Sequence, residues 1–147
     1  MTKEVLLSLK GLQYDLRADN QEFETITPAE YYHRNGNHYI LYDEVQADST
    51  DIIKNRIKFR DDYLEVIKKG PFNANLIFEE KKKNITSYET PFGDFIVGVD
   101  TGKVKMIEEE KRIHIEVDYR LDVNYVHLAD CTISVDIRDR DVGLPLS

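Results

Sequence analysis

Apolar and polar residues alternate one for one along most of this chain. In residues 111–121, Ile113, Ile115, Val117, Tyr119 and Leu121 share one parity, while His114, Glu116, Asp118 and Arg120 share the other. Successive side chains of a β-strand point to opposite faces, so such a segment has one buried face and one wetted face. Cys131, Ile133, Val135 and Ile137 repeat the pattern, as do Val5-Leu7-Leu9, Ile53-Asn55-Ile57-Phe59, Ala74-Leu76-Phe78 and Phe95-Val97-Val99. Composition points the same way, with 33 Ile, Val and Thr against five Ala. β-Branched side chains suit a pleated surface, whereas Ala is the strongest helix former.

Turn chemistry separates these runs. Asn35-Gly36 stands between Tyr31-Tyr32 and Tyr39-Ile40-Leu41-Tyr42, and an Asn-Gly pair between apolar runs is a strong hairpin signal. Arg60-Asp61-Asp62, Gly70-Pro71, Lys82-Lys83-Asn84, Thr90-Pro91-Phe92-Gly93 and Thr101-Gly102 punctuate the remainder. A spacing of about 8–12 residues between turns belongs to a sandwich or barrel rather than to βαβ units, and about ten strands are expected. Residues 61–71 carry acids first, then Lys68-Lys69, Gly70 and Pro71, which are helix-boundary signals. The segment is short for a helix and its neighbours alternate like strands, so it too is read as a strand.

Sequential antiparallel strands leave two exposed edges unless the sheet closes on itself. The charges sit on the outward parity, so the apolar faces turn inward. The expected fold is therefore all-β: a single closed, up-and-down antiparallel barrel over residues 1–138, followed by a tail at residues 139–147. A barrel of this strand number either fills its interior or holds one small ligand. Alternation and aromatic content nominate Tyr39, Phe59, Phe78, Phe95, Val97, Val117 and Tyr119 as its lining. Tyr14, Tyr63 and Tyr125 fall nearer turns and suit an exposed contact patch.

Several segments, taken in order, carry a resemblance. They are Tyr31-Tyr32 with the Asn35-Gly36 turn, Tyr39-Ile40-Leu41-Tyr42, Ile57-Lys58-Phe59, Leu76-Ile77-Phe78-Glu79, Thr90-Pro91-Phe92-Gly93 and Tyr119-Arg120-Leu121. Together they resemble the YwiB-like family of small bacterial proteins of unknown function, over roughly residues 3–138. The Thr-Pro-aromatic-Gly turn is the most specific of them. The resemblance implies a calycin (lipocalin-like) β-barrel and supplies no catalytic residues.

The rest of the inventory excludes function classes. Twenty basic and 28 acidic residues give a net charge of −8, which opposes the phosphate neutralisation that drives nucleic-acid binding. No run is long and apolar enough to span a membrane as a helix. The basic run Lys81-Lys82-Lys83 reads as a solvated hairpin tip. Cys131 is the one cysteine and cannot form an internal disulfide, and residues 1–9 lack the pattern of a secretion signal, so a cytoplasmic location is expected.

None of the five Ser lies in a G-x-S-x-G elbow, and no phosphate-cradling Gly loop or dinucleotide fingerprint occurs. His33 and His38 flank a hairpin whose ladder brings their rings together, but two His make an incomplete zinc site, and both read as surface residues. His127 and Cys131 lack two further ligands of clear spacing. The pairs Glu22/Glu24, Asp43-Glu44, Asp61-Asp62 and Glu79-Glu80, with Glu108-Glu109-Glu110, read as solvated. No catalytic, metal or cofactor site is expected. The favoured expectation is a non-enzymatic barrel that binds a small apolar molecule, the alternative a protein-interaction module with a filled interior.

Overall fold

The computed structural model describes residues 1–11, 24–45, 50–70, 73–90 and 93–140, the side chains of Tyr88 and Thr90 excepted. They form ten strands: β1 (Glu4–Lys10), β2 (Glu24–Arg34), β3 (Asn37–Val45), β4 (Ile52–Arg60), β5 (Tyr63–Lys69), β6 (Ala74–Glu79), β7 (Lys82–Thr90), β8 (Gly93–Glu108), β9 (Arg112–Val123) and β10 (Val126–Asp139). No helix occurs among the described residues. None is present there that could cross a membrane.

All ten strands belong to one antiparallel sheet in the order β6-β5-β4-β3-β2-β1-β10-β9-β8-β7. The first and last strands are therefore neighbours, with Val5 opposite Asp139 and Lys10 opposite Ser134. The discontinuity lies elsewhere, between β6 and β7, which meet at an isolated bridge between Asn73 and Glu89. The result is the expected up-and-down barrel, nearly closed. Gly11 follows β1 with φ of +80°, so near β10 that a Cβ there would collide with the Thr132 carbonyl oxygen. Only glycine accommodates that approach.

Residues 63–69 are a strand despite their helix-like boundaries, because Leu64, Val66 and Lys68 pair with Phe59, Ile57 and Asn55 on the inner face. Burial between two neighbouring strands outweighs the weak local signal. The chain ends are tied together at the same rim. The Thr2 backbone N–H and hydroxyl donate to the Asp139 carboxylate at 3.0 and 3.1 Å, and Arg140 Nε donates to the Val5 carbonyl at 3.2 Å. Asp139, the first residue of the expected tail, thus closes β10, and residues 141–147 lie outside those described.

The core is the barrel interior. Leu7, Ile40, Ile57, Phe59, Leu64, Phe78, Ile115, Val117, Ile133 and Ile137 have no exposed surface. Burying each such side chain is worth about 1.5–3 kcal/mol relative to leaving it in water.

The Asn35-Gly36 turn fixes the parity of β3. Both residues have positive φ, 53° and 78°, the geometry of a two-residue hairpin turn that matches strand twist. It sets His33 opposite His38 and Tyr31 opposite Ile40. The inner face of β3 therefore carries His38, Ile40 and Tyr42, all buried. Tyr39 lies on the opposite, outer face, half-buried with the Lys58 ammonium 5.9 Å from its ring centroid. Its expected inward placement is thus corrected. Residues 39–42 are all apolar or aromatic, so alternation alone does not choose between the two parities there.

Candidate functional site

Three cross-strand rows line the wall built by β3, β4, β5 and β6. The middle row, Ile40-Ile57-Val66-Leu76, is wholly apolar. The row toward the Asn35-Gly36 turn is His38-Phe59-Leu64-Phe78, and the row toward the other end is Tyr42-Asn55-Lys68-Ala74. An apolar belt thus separates two sets of buried polar groups. On β3, His38 and Glu44 are six residues apart, roughly 20 Å along an extended strand.

At the first end, Tyr31 O–H donates to His38 Nδ1 at 2.7 Å, and His38 Nε2 faces Glu108 Oε1 at 3.5 Å. Burial lowers the His38 pKa, keeping the ring neutral against the pull of Glu108. Burial, then the Glu108 charge, pushes the Tyr31 phenol up to about 12, so it stays protonated. The neutral ring carries one N–H, and the Glu108 carboxylate facing Nε2 only accepts, so the proton sits on Nε2 and Nδ1 accepts from the Tyr31 O–H. The His38 ring lies between His33, stacked at 4.4 Å and 4°, and Phe59, at 4.9 Å and 19°.

The two rings do meet across the ladder, as expected. However, His38 is 3% exposed and belongs to the core, not to the surface. The turn places it on the inner parity, whereas His33 remains exposed at the rim. A shallow groove of about 460 Å³ opens beside them, bordered by Arg60, Asp61, Asp62, Met106 and Glu108. Tyr31, His38 and Glu108 thus answer one another.

The opposite end differs. Lys68, on the inner face of β5, is 2% exposed, and its Nζ lies 2.9 Å from Glu44 Oε1. The Glu44 side chain is 30% exposed, while its Oε1, turned to the hidden ammonium, is buried. Burial lowers the Lys68 pKa, and the charge and hydrogen bond of Glu44 oppose that shift. Beside Lys68 in the same row, Asn55 is 3% exposed. Its Nδ2 donates to the Ile53 carbonyl at 3.3 Å, which fixes the amide orientation, because a carbonyl accepts only from the NH2 group. Asn55 Oδ1 is left without a hydrogen-bond partner among the described residues. An unpaired buried acceptor costs about 1–3 kcal/mol, so it calls for an explanation. Ala74, next in the row, is the smallest side chain of the four.

Of the expected lining residues, Phe59, Phe78, Val97, Val117 and Tyr119 are buried, and Phe95 is half-buried against the core. Phe78 and Tyr119 meet edge to face at 4.8 Å. Phe95 and Val97 stand at the same end of the barrel as Lys68, since Asn73 bridges Glu89 and Glu89 pairs with Asp94. Phe59 belongs to the histidine end. Tyr39 belongs to neither.

The remaining candidates disperse. Cys131 is half-buried against the core and bonded to Tyr119, and burial raises its thiol pKa, so it behaves as a small apolar side chain. His127 is exposed beside Asp122 and Asp130, parted from Cys131 by a register shift between His127 and Ala129. Lys83 pairs with Asp122 at 2.8 Å. On the outer face Asp136 is partly buried, which raises its pKa, but donors from Arg112, Arg138 and His114 hold it below the usual carboxylate range. No group of three or more His, Cys, Asp or Glu among the described residues is arranged to hold a metal ion. Glu22, Tyr14, Pro91 and Phe92 lie outside the described residues.

The pair Asp43-Glu44 reads as solvated from the sequence. The structure corrects this for Glu44, which lies on the inner parity of β3 with its Oε1 buried 2.9 Å from Lys68 Nζ. Lys68 and Asn55 are not singled out as site residues by the sequence. A signal for both exists: each is a polar residue on the apolar parity of its strand, Asn55 between Ile53 and Ile57, and Lys68 after Leu64 and Val66.

Fold and interior together define an antiparallel up-and-down β-barrel with an apolar belt and buried polar groups at both ends. The chain belongs to the family described as a domain of unknown function, DUF1934, which matches residues 7–135. Among solved structures it is similar to the ywiB protein from Bacillus subtilis, with a TM-score of 0.75 and 19% sequence identity over 93% of this chain and 92% of that one. At that identity the likeness concerns the fold. Comparison with curated proteins finds no match.

Proposed function

We propose that this barrel binds a small molecule with an apolar body and a hydrogen-bond donor, taken in at the lysine end. The observation that carries the reading is Asn55 Oδ1, a buried acceptor without a partner among the described residues, beside the Lys68–Glu44 pair in an otherwise apolar wall. Ligand pockets combine apolar walls with a few convergent polar groups, and this end offers that combination. Tyr42, Ala74, Phe95 and Val97 supply the apolar surface. A ligand hydroxyl or amide N–H donating to Asn55 Oδ1 removes the desolvation penalty that the acceptor otherwise carries.

In this reading the protein is a carrier or sensor of its ligand rather than an enzyme, works in the cytoplasm, needs no cofactor, and has neither nucleic acid nor membrane as partner. A calycin-type relationship accords with the up-and-down order. Native mass spectrometry of freshly purified protein, followed by titration with medium-chain alcohols, tests it. A bound mass or a one-to-one binding isotherm that Asn55→Leu abolishes is expected. Only the apo mass, with no isotherm for any alcohol, overturns the reading.

A second reading, an interaction module, draws on a separate observation. Tyr125, Val126 and Leu128 at the β9–β10 hairpin are 74%, 67% and 46% exposed. Tyr125 also holds a φ of 68°, unusual for a bulky residue. An affinity capture whose stoichiometric partner is lost in Tyr125→Ser separates the two readings.

A further inference from the structure

We propose that Lys68 is an imine-forming residue: its ε-amine condenses with the carbonyl of an aldehyde- or ketone-bearing ligand that enters beside Glu44. The inference rests on the ligand-binding reading above and gives it a substrate class.

Among the described residues Lys68 is the one buried lysine. Its chain position puts it on the inner parity of β5, between Asn55 of β4 and Ala74 of β6. Stability does not account for it, since replacing a buried ion pair with apolar side chains is commonly neutral or favourable. Nucleophilic lysines are made by desolvation, which weakens the ammonium form, and by a nearby base that accepts the proton. Both conditions hold here, with burial lowering the Lys68 pKa and the Glu44 carboxylate 2.9 Å from Nζ. The Glu44 side chain is in turn 30% exposed, which puts it within reach of solvent protons.

The step balances without a further reagent. Glu44 accepts a proton from the Lys68 ammonium, and the freed nitrogen pair attacks the carbonyl carbon. The C–N bond forms as the carbonyl π pair moves to oxygen, which takes the second proton from nitrogen to become the carbinolamine hydroxyl and donates to Asn55 Oδ1. The hydroxyl then takes the proton held by Glu44 and leaves as water while the nitrogen pair forms the C=N bond. This leaves a protonated iminium, which keeps the third proton, beside the Glu44 carboxylate. Addition of water reverses the sequence, so the ligand is held covalently and released unchanged.

The test uses the full chain with decanal and sodium cyanoborohydride, read by intact mass and peptide mapping, with 1-decanol binding measured in parallel. One decyl group per chain, mapped to Lys68, is expected ahead of the exposed lysines. Lys68→Arg removes that adduct, and Glu44→Gln slows its formation by about a hundredfold, the scale of a lost general acid–base group. Mapping on the unaltered protein stands even if a variant fails to fold. If 1-decanol binds but decyl groups appear only on surface lysines, the imine proposal fails and the binding reading survives. If neither compound associates, both fail.

Discussion

The two ends of the barrel interior use polar residues in opposite ways. At the histidine end, the groups around His38 are partnered within the fold: Tyr31 donates to His38, His38 faces Glu108, and the ring is held between His33 and Phe59. At the lysine end the arrangement is incomplete. Lys68 and Glu44 hold each other, yet Asn55 keeps an acceptor that no described residue answers. A fully satisfied buried network rigidifies a core, while a buried group left without a partner calls for an explanation. Substituting the first should cost stability, and substituting the second should cost binding.

The largest effect should come from Phe59→Ala, which removes a fully buried ring and the platform beneath His38. A loss of about 3–5 kcal/mol in urea unfolding is expected. A loss below about 1 kcal/mol would show the histidine end to be loosely packed and would remove the contrast.

Next comes Tyr31→Phe. It leaves His38 Nδ1 buried and unpaired, a cost of about 1–3 kcal/mol by the same measurement.

A smaller effect follows from pH. Burial holds the folded-state His38 pKa below the ordinary value of about 6.5. The unfolded chain therefore binds the proton first, and stability falls as pH drops below about 6.5 until the folded-state pKa is passed. Urea midpoints taken between pH 7.5 and 5 (order-of-magnitude bounds around that ordinary value) should decline in the native protein and lose that slope in His38→Phe. A flat native profile would refute the neutral-imidazole assignment.

The smallest effect on stability is expected for Lys68→Met, which keeps the stem volume and deletes the charge. Stability should stay within about 1 kcal/mol of the parent, because the Glu44 side chain is 30% exposed and has room to turn its buried Oε1 to water. A loss of several kcal/mol would make Lys68 a structural residue like His38 and erase the difference between the ends.

The strands were legible because most of them alternate without ambiguity, as in Ile113-Ile115-Val117 and Ile133-Val135-Ile137. Even residues 63–69 follow from their neighbours. The inner parity was less legible where apolar residues occupy both faces. In residues 39–42 the wetted side of β3 carries Tyr39 and Leu41, so an aromatic choice pointed outward. The polar groups of the interior were hardest to see. Lysine and asparagine on the inward parity resemble ordinary surface residues until cross-strand pairing places Asn55 beside Lys68. That pairing is non-local information, set by turn lengths and register rather than by the residues themselves.

The discontinuity between β6 and β7 bears on the order in which the molecule assembles. Every ladder except β1–β10 joins consecutive strands, and that one closes nearly the full length of the chain. A circular permutant that links residues 140 and 2 and opens at the 80–81 turn would run as a plain meander from β7 to β6, turning its most distant pairing into a hairpin. Folding rates rise as contacts become local, so the rearranged gene product should reach its native state faster than its parent while keeping the same architecture.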